Sequence, residues 1–180
     1  MWRAIFGGWS TDTVFTARSA LPVNVVTGTT VFGVSSALRP DALPGIPLSV
    51  DDPTVPGGQR FNRAGFAPPP LDASGNPLRQ GTLARNALRG FGMSQVDLAV
   101  RRDIRLGGGM NLQVSAEAFN LFNQVNFGLP TNTLSSGLFG QPTQTLAPSL
   151  AAGGVAGGGF SPLYQVGGPR SIQLVLRLQF

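Results

Sequence analysis

The last ten residues, Ser171 to Phe180, read S-I-Q-L-V-L-R-L-Q-F and constrain the fold more than any other stretch. Ile172, Leu174, Leu176, Leu178 and Phe180 share one parity, while Ser171, Gln173, Arg177 and Gln179 share the other and Val175 alone breaks the contrast. A strand's period of two gathers the five apolar residues on one face, whereas a helix would scatter them around its circumference. At roughly 3.3 Å per residue the stretch reaches about 33 Å, and a tilt near 45° lowers its height to about 23 Å, close to the apolar band of an outer-membrane barrel. The same face would also suit the core of a soluble sandwich, and this segment alone does not decide between them.

Composition narrows the choice. Gly and Pro supply 25 and 15 of the 180 residues, which approaches the range where unordered segments dominate. Charged residues are 12%, about half the usual share, yet the chain has no run of 18 apolar residues that could span a bilayer as a helix. A membrane would have to be crossed by strands. Cysteine is absent, which excludes disulfides and thiolate metal sites, and histidine is absent, which removes the commonest general base and metal ligand. Catalytic residues, cofactor-binding residues and metal ligands are therefore not expected. Asp51-Asp52, the only adjacent carboxylate pair, lies in a Pro-rich stretch with no base beside it, so a hydrolase is a weak reading. The net charge of +5 comes from scattered arginines with no Lys and no basic patch interleaved with aromatics, which argues against a nucleic-acid partner. Met1 to Ser10 has neither an extended apolar region nor a small-residue cleavage site, so the native N-terminus of an exported protein is expected to lie elsewhere.

Taken in order, residues 9–20 (W-S-T-D-T-V-F-T-A-R-S-A) predict a strand, preceded by a turn at Gly7-Gly8. Residues 21–90 are punctuated by Pro and Gly and predict a long loop. Within it Val23 to Val34 suits a short extended hairpin and Thr82 to Arg89 a single helical turn. Residues 95–106 return to alternation, with Val96, Leu98, Val100 and Ile104 opposite in parity to Asp97, Arg101, Asp103 and Arg105. Arg102 falls on the apolar side near the next turn, from where a long side chain can snorkel to an interface. Gly107-Gly108-Gly109 makes a short connection, because no helix with Lys and Ser/Thr follows it as a phosphate loop requires. Residues 111–123 alternate as a strand, although Ala, Glu and Leu there also permit a helix. Phe119, Leu121, Phe122 and Phe127 predict an aromatic cluster, either an interfacial girdle or an ordinary core. Residues 124–168 form a second loop, least structured at A-A-G-G-V-A-G-G-G, and 171–180 is the closing strand.

Counting directions joins these segments. With four strands at 9–20, 95–106, 111–123 and 171–180, both long loops fall at one end and the triglycine turn at the other. Outer-membrane barrels show this asymmetry, with long loops extracellular and short turns periplasmic. The expected fold class is all-β: an antiparallel transmembrane β-barrel fragment of about four C-terminal strands. Four strands cannot close a barrel, since even small ones have about eight. Asp97, Arg101, Gln113, Glu117, Gln173 and Arg177 are expected to face its lumen.

The chain also resembles TonB-dependent outer-membrane receptors, in particular the Oar-like barrels. The matching pieces are G-G-W-S-T-D followed by S-A-L-P-V, then R-P-D-A-L-P-G-I-P-L, F-N-R-A-G-F-A-P-P, A-R-N-A-L-R-G-F-G, S-Q-V-D-L-A-V-R-R-D-I-R-L, A-E-A-F-N-L-F-N-Q-V-N-F-G and the final R-S-I-Q-L-V-L-R-L-Q-F, spanning nearly the whole chain in order. The resemblance implies a barrel of about 22 strands around a plug, in the outer membrane of a Gram-negative bacterium, moving a bulky ligand with energy passed through TonB. This chain would then hold the C-terminal portion, residues 1–180. Its partners would be outer-membrane lipid, the barrel assembly machinery and the rest of the barrel and plug, with the TonB system engaged only through that plug. The resemblance also implies an assembly signal of the form polar-x-Gly-x-x-apolar-x-aromatic, which Gln173, Leu178 and Phe180 match while Val175 replaces the Gly. The alternative function is a secreted or surface β-rich adhesive protein whose loops bind partners.

Overall fold

The computed structural model describes residues 7–31, 34–35, 38–150 and 166–180. In chain order these form β1 (Trp9–Arg18), β2 (Pro22–Val23), β3 (Thr30–Val31), β4 (Val34–Ser35), β5 (Asp41–Ala42), β6 (Ser49–Asp51), β7 (Gln59–Phe61), β8 (Phe66–Ala67), β9 (Leu88–Arg89), β10 (Met93–Gly107), β11 (Met110–Phe119) and β12 (Ser171–Gln179). The four long strands make one antiparallel sheet in the order β1, β10, β11, β12.

Residues directly opposite one another in an antiparallel ladder share a face, so the register sorts the side chains. Thr13, Leu98, Ala118 and Ile172 form one row, and Thr11, Val100, Ala116 and Leu174 the next. On the opposite face lies the row Asp12, Ala99, Glu117 and Gln173. The apolar face does not line a core: Leu174 and Leu176 are 78% and 74% exposed, and Phe15 is 68% exposed. A soluble sandwich would cover those side chains, whereas here the one buried apolar cluster among the described residues lies in the loops.

Between β10 and β11 the chain reverses in two residues. Gly107, Gly108 and Gly109 all have φ between 62° and 88°, the left-handed region where side chains cost energy, and this is why three glycines stand in a row there.

The loops are more ordered than their Pro and Gly content suggests. β2 pairs with β9 and continues the β1 with β10 ladder outward, β5 pairs with β8, and β6 pairs with β7. These short ladders frame a core of Val23, Val25, Phe61, Phe66, Leu83 and Leu88 from the first loop and Leu134 and Phe139 from the second. Phe139 meets Phe66 edge-on at 5.5 Å and Phe61 at 6.0 Å. Arg63 fastens the two loops, donating to the carbonyl oxygens of Leu134 and Ser136 with its guanidinium 5.4 Å from the centre of the Phe139 ring. The two loops thus build one cap.

Four local expectations change. Thr82 to Arg89 does not form a helical turn: Asn86 has φ 56° and Leu88 is drawn into the ladder opposite Val23. Val23 to Val34 is not one hairpin, because Val23 pairs with Leu88 and Val26 bridges Thr133, leaving only the tight pairing of β3 with β4. β11 stops at Phe119 rather than Asn123, because Asn120 turns the backbone at φ 52°. The expected aromatic cluster is dispersed by the same turn: Phe119 sits on the polar face, Phe122 is 74% exposed, and Phe127 packs against Phe91 at 5.2 Å. The first six residues and the A-A-G-G-V-A-G-G-G stretch lie outside the described residues.

Candidate functional site

The polar face of the sheet is the first candidate surface. Its strands supply Asp12, Asp97, Asp103 and Glu117 as acids and Arg18, Arg101, Arg105 and Arg177 as bases, so their charges balance. A balanced wall is wetted by water but carries no field to draw in a ligand by its net charge. Neighbouring side chains are tied across strands, Arg101 forming an ion pair with Asp12 and Gln113 donating to Asp103 Oδ1 at 3.1 Å, and along β10, where Gln95 donates to Asp97 Oδ1 at 2.8 Å. Asp12, Asp97, Arg101, Glu117 and Phe119 line a shallow depression on it.

Asp97, Arg101, Gln113, Glu117, Gln173 and Arg177 all belong to this face. Glu117 stands opposite Gln173, and Gln113 lies between Asp103 and Arg177. The three residues of the proposed assembly signal are not brought together as one patch. Gln173 is on the polar face, Leu178 is on the apolar face opposite Leu112, and Phe180 lies beyond the strand end, 96% exposed. Val175, in the position where the pattern has Gly, stands opposite the buried Ser115.

At the loop end of the same strands is a buried polar knot that the sequence reading did not single out. Asn120 is 1% exposed. Its Nδ2 donates to the carbonyl oxygens of Gln124 at 2.9 Å and Gly168 at 2.8 Å, and its Oδ1 accepts from the Gln124 N–H at 2.9 Å. Its own backbone N–H reaches Asp97 Oδ1 at 2.8 Å. Gln95, also buried, accepts from the Gly167 N–H at 2.7 Å, and buried Asn126 accepts from the Ser94 N–H at 3.0 Å. A buried polar group without a partner is costly, and here the bonds to Asp97, Gln95 and Ser94 tie the loops to β10, while those from the Asn120 side chain close the turn after β11 and tie it to the segment before β12. The knot fixes where the chain leaves β11 and where it returns toward β12. Its signal in the sequence is the spacing N-x-x-N-x-x-N at Asn120, Asn123 and Asn126, since asparagine is the non-glycine residue that best tolerates left-handed φ and also bonds nearby backbone.

In the cap, Asp41 accepts two bonds from Arg79 at 2.6 and 2.9 Å and one from the Thr82 N–H at 2.8 Å. The Arg79 bonds, helped by Thr82, lower its pKa from 3.8 to about 2. Asp52 is held below the usual carboxylate range first by Thr54 and then by Arg60. Its carboxylate is thus occupied by structural bonds.

Among the described residues no helix is long and apolar enough to cross a membrane, which leaves open a crossing by strands. Searches of curated proteins and of solved structures each return no match. A family model described as "Outer membrane beta barrel domain" matches residues 1–172. That match covers most of the chain and agrees with an antiparallel sheet that is apolar on one face, polar on the other and looped at one end. The chain belongs to the outer-membrane β-barrel domain family, and its setting is the outer membrane of a Gram-negative bacterium.

Proposed function

We propose that this chain is the closing part of the wall of a TonB-dependent receptor of the Oar-like kind, a transporter for a bulky ligand. The observation that carries the reading is the four-strand sheet itself: an exposed apolar face toward lipid, a charge-balanced polar face toward the lumen, and a folded cap at one end. Asp97, Arg101, Gln113, Glu117, Gln173 and Arg177 then contact water or a plug inside the barrel. Among the described residues β1 and β12 pair on one side only, and further strands of the barrel would take up those edges. Gln173, Leu178 and Phe180 act as the signal read by the assembly machinery. The cap, lying outside the cell, meets the ligand first. No catalytic step is assigned, and no cofactor is required by this role.

An antibody against the cap, used on outer-membrane fractions, tests the reading. The expected band is heat-modifiable and well above the 18.7 kDa of this chain. A single band at 18.7 kDa that does not shift on heating would refute it.

A further inference from the structure

The loop end of β12 carries an exposed cation at the rim of the apolar face. Arg170 stands one residue before the strand, at the parity of Ile172, Leu174, Leu176 and Leu178, and Phe180 stands one residue beyond it at the same parity. Arg170 precedes Phe180 by ten residues, and at roughly 3.3 Å per residue with a tilt near 45° their heights differ by about 23 Å, close to an apolar band about 25 Å tall. The two residues therefore mark opposite rims of the band, the aromatic one on the short-turn side and the arginine on the loop side.

The polar knot fixes where this arginine stands. The Gly167 N–H is held by Gln95 at 2.7 Å, the Gly168 carbonyl oxygen by Asn120 at 2.8 Å and the Arg170 N–H by Asn123 Oδ1 at 3.3 Å. All three ties use backbone atoms of residues 167–170, while the Arg170 side chain is exposed. None of the ion pairs among the described residues involves it. The carboxylates of the four strands, Asp12, Asp97, Asp103 and Glu117, all lie on the opposite face. The turn that holds Arg170 also exposes Phe122 and Val125, and the next residue down the apolar face, Ile172, is exposed as well.

A cation above uncovered apolar side chains fits a ligand with a phosphate above and acyl chains below. A guanidinium takes two phosphate oxygens through parallel N–H bonds, and Ile172 and Leu174 offer apolar surface to the chains. In outer-membrane barrels the long loops are extracellular, and the outward leaflet of a Gram-negative outer membrane is a glycolipid with phosphorylated sugars. We propose that Arg170, together with the exposed Phe122 and Ile172, forms a binding site for the phosphate and upper acyl chains of that outer-leaflet glycolipid. The site rests on the reading of the wall as turned to lipid with the cap outside, and it is independent of what the barrel transports.

The test uses the full-length barrel, otherwise free of cysteine, with Ile172→Cys carrying a fluorophore, reconstituted in vesicles of brominated phosphatidylcholine. Diphosphorylated lipid A or its dephosphorylated form is added, and relief of quenching reports which lipid occupies the site. One cation near an anionic lipid corresponds to about a fivefold preference, so the phosphorylated form is expected to act at about one fifth of the mole fraction. Arg170→Lys should keep part of the preference and Arg170→Gln should abolish it. Both substitutions leave the tie to Asn123 in place, because the backbone N–H makes it. Equal action of the two forms on the barrel that retains Arg170, or a preference that survives Arg170→Gln, would overturn the site. Phosphatidylglycerol acting as well as phosphorylated lipid A would make it a site for any anionic lipid, and inorganic phosphate cancelling the preference at the lipid's own concentration would make it a site for free phosphate; either result overturns the glycolipid assignment. Absence of quenching by the brominated lipid alone would overturn the site together with the reading of the wall, an outcome distinct from a failure of selectivity.

Discussion

Replacing Asn120 by Ala tests the polar knot most directly. The substitution deletes three side-chain hydrogen bonds and leaves the backbone at φ 52° without a residue that favours it. Gly168 is buried, so its abandoned carbonyl oxygen costs about 1–3 kcal/mol. Gln124 is exposed, so its N–H and carbonyl can turn to water and lose about 0.5–1 kcal/mol each. Holding Ala in the left-handed region adds about 1 kcal/mol. The sum centres on about 4.5 kcal/mol, and at about 1.4 kcal/mol per factor of ten the local opening equilibrium rises by about three orders of magnitude. Amide hydrogen exchange on the reconstituted barrel measures this at peptides covering residues 120–126 and 166–170, while peptides from the middle of β10 serve as the unperturbed reference. Asn120→Gly separates the contributions, because glycine adopts the turn without strain; it is expected to recover about 1 kcal/mol of the loss. The reasoning is refuted if Asn120→Ala exchanges within tenfold of the native protein, or if the glycine variant is no better than the alanine one.

Other outcomes follow from the cap, the wall and the chain end. Phe139→Ala removes a ring 3% exposed that touches two others, a loss of about 3–5 kcal/mol, and should make residues 124–150 sensitive to protease while the barrel band stays heat-modifiable. Asp41 has a folded pKa near 2 against 3.8, so its contribution to cap stability is present above pH 4 and is lost as pH falls from about 4 to about 2. Asp41→Asn should flatten that part of an acid titration followed by cap proteolysis, and an unchanged profile would contradict the assignment. Glu117→Cys should react with a water-soluble thiol reagent from the lumen and Leu174→Cys with a lipid-phase one, and the reverse pattern would invert the wall. Deleting Phe180 from the full-length protein should lower the outer-membrane yield, whereas an unchanged yield removes it from the assembly signal.

The long strands were legible because each needs only a two-residue period sustained over nine or more residues, and Ser171 to Phe180 keeps that period almost throughout. The same period placed Glu117 and Gln173 on one face before their pairing was known. Where β11 ends was not legible, since F-N-L-F-N continues to offer apolar residues and only the backbone angle at Asn120 breaks the strand. The cap core was hidden for a different reason. Its strands are two or three residues long, too short to show a period, and their partners are distant, as when Ala42 pairs with Phe66 and Val23 with Leu88. Local propensity at Thr82 to Arg89 favoured a helix, but burial of Leu83 and Leu88 in a core assembled from elsewhere outweighed it. Arg63 gave no sign of joining two loops, because its carbonyl partners lie 71 and 73 residues away.

Those separations impose an order on biogenesis. Asn132 donates to the carbonyl oxygen of Asn24 at 2.8 Å across 108 residues, and Leu134 and Phe139 complete a core otherwise built from residues 23–88. Contacts that distant cannot form until the intervening chain is in place, and closing such a loop costs entropy before any contact rewards it. Until the later segment arrives, the apolar cluster of the earlier one lacks two of its members. With the cap outside the cell, as proposed above, it is expected to be the last part of this region to fold, out of reach of periplasmic chaperones.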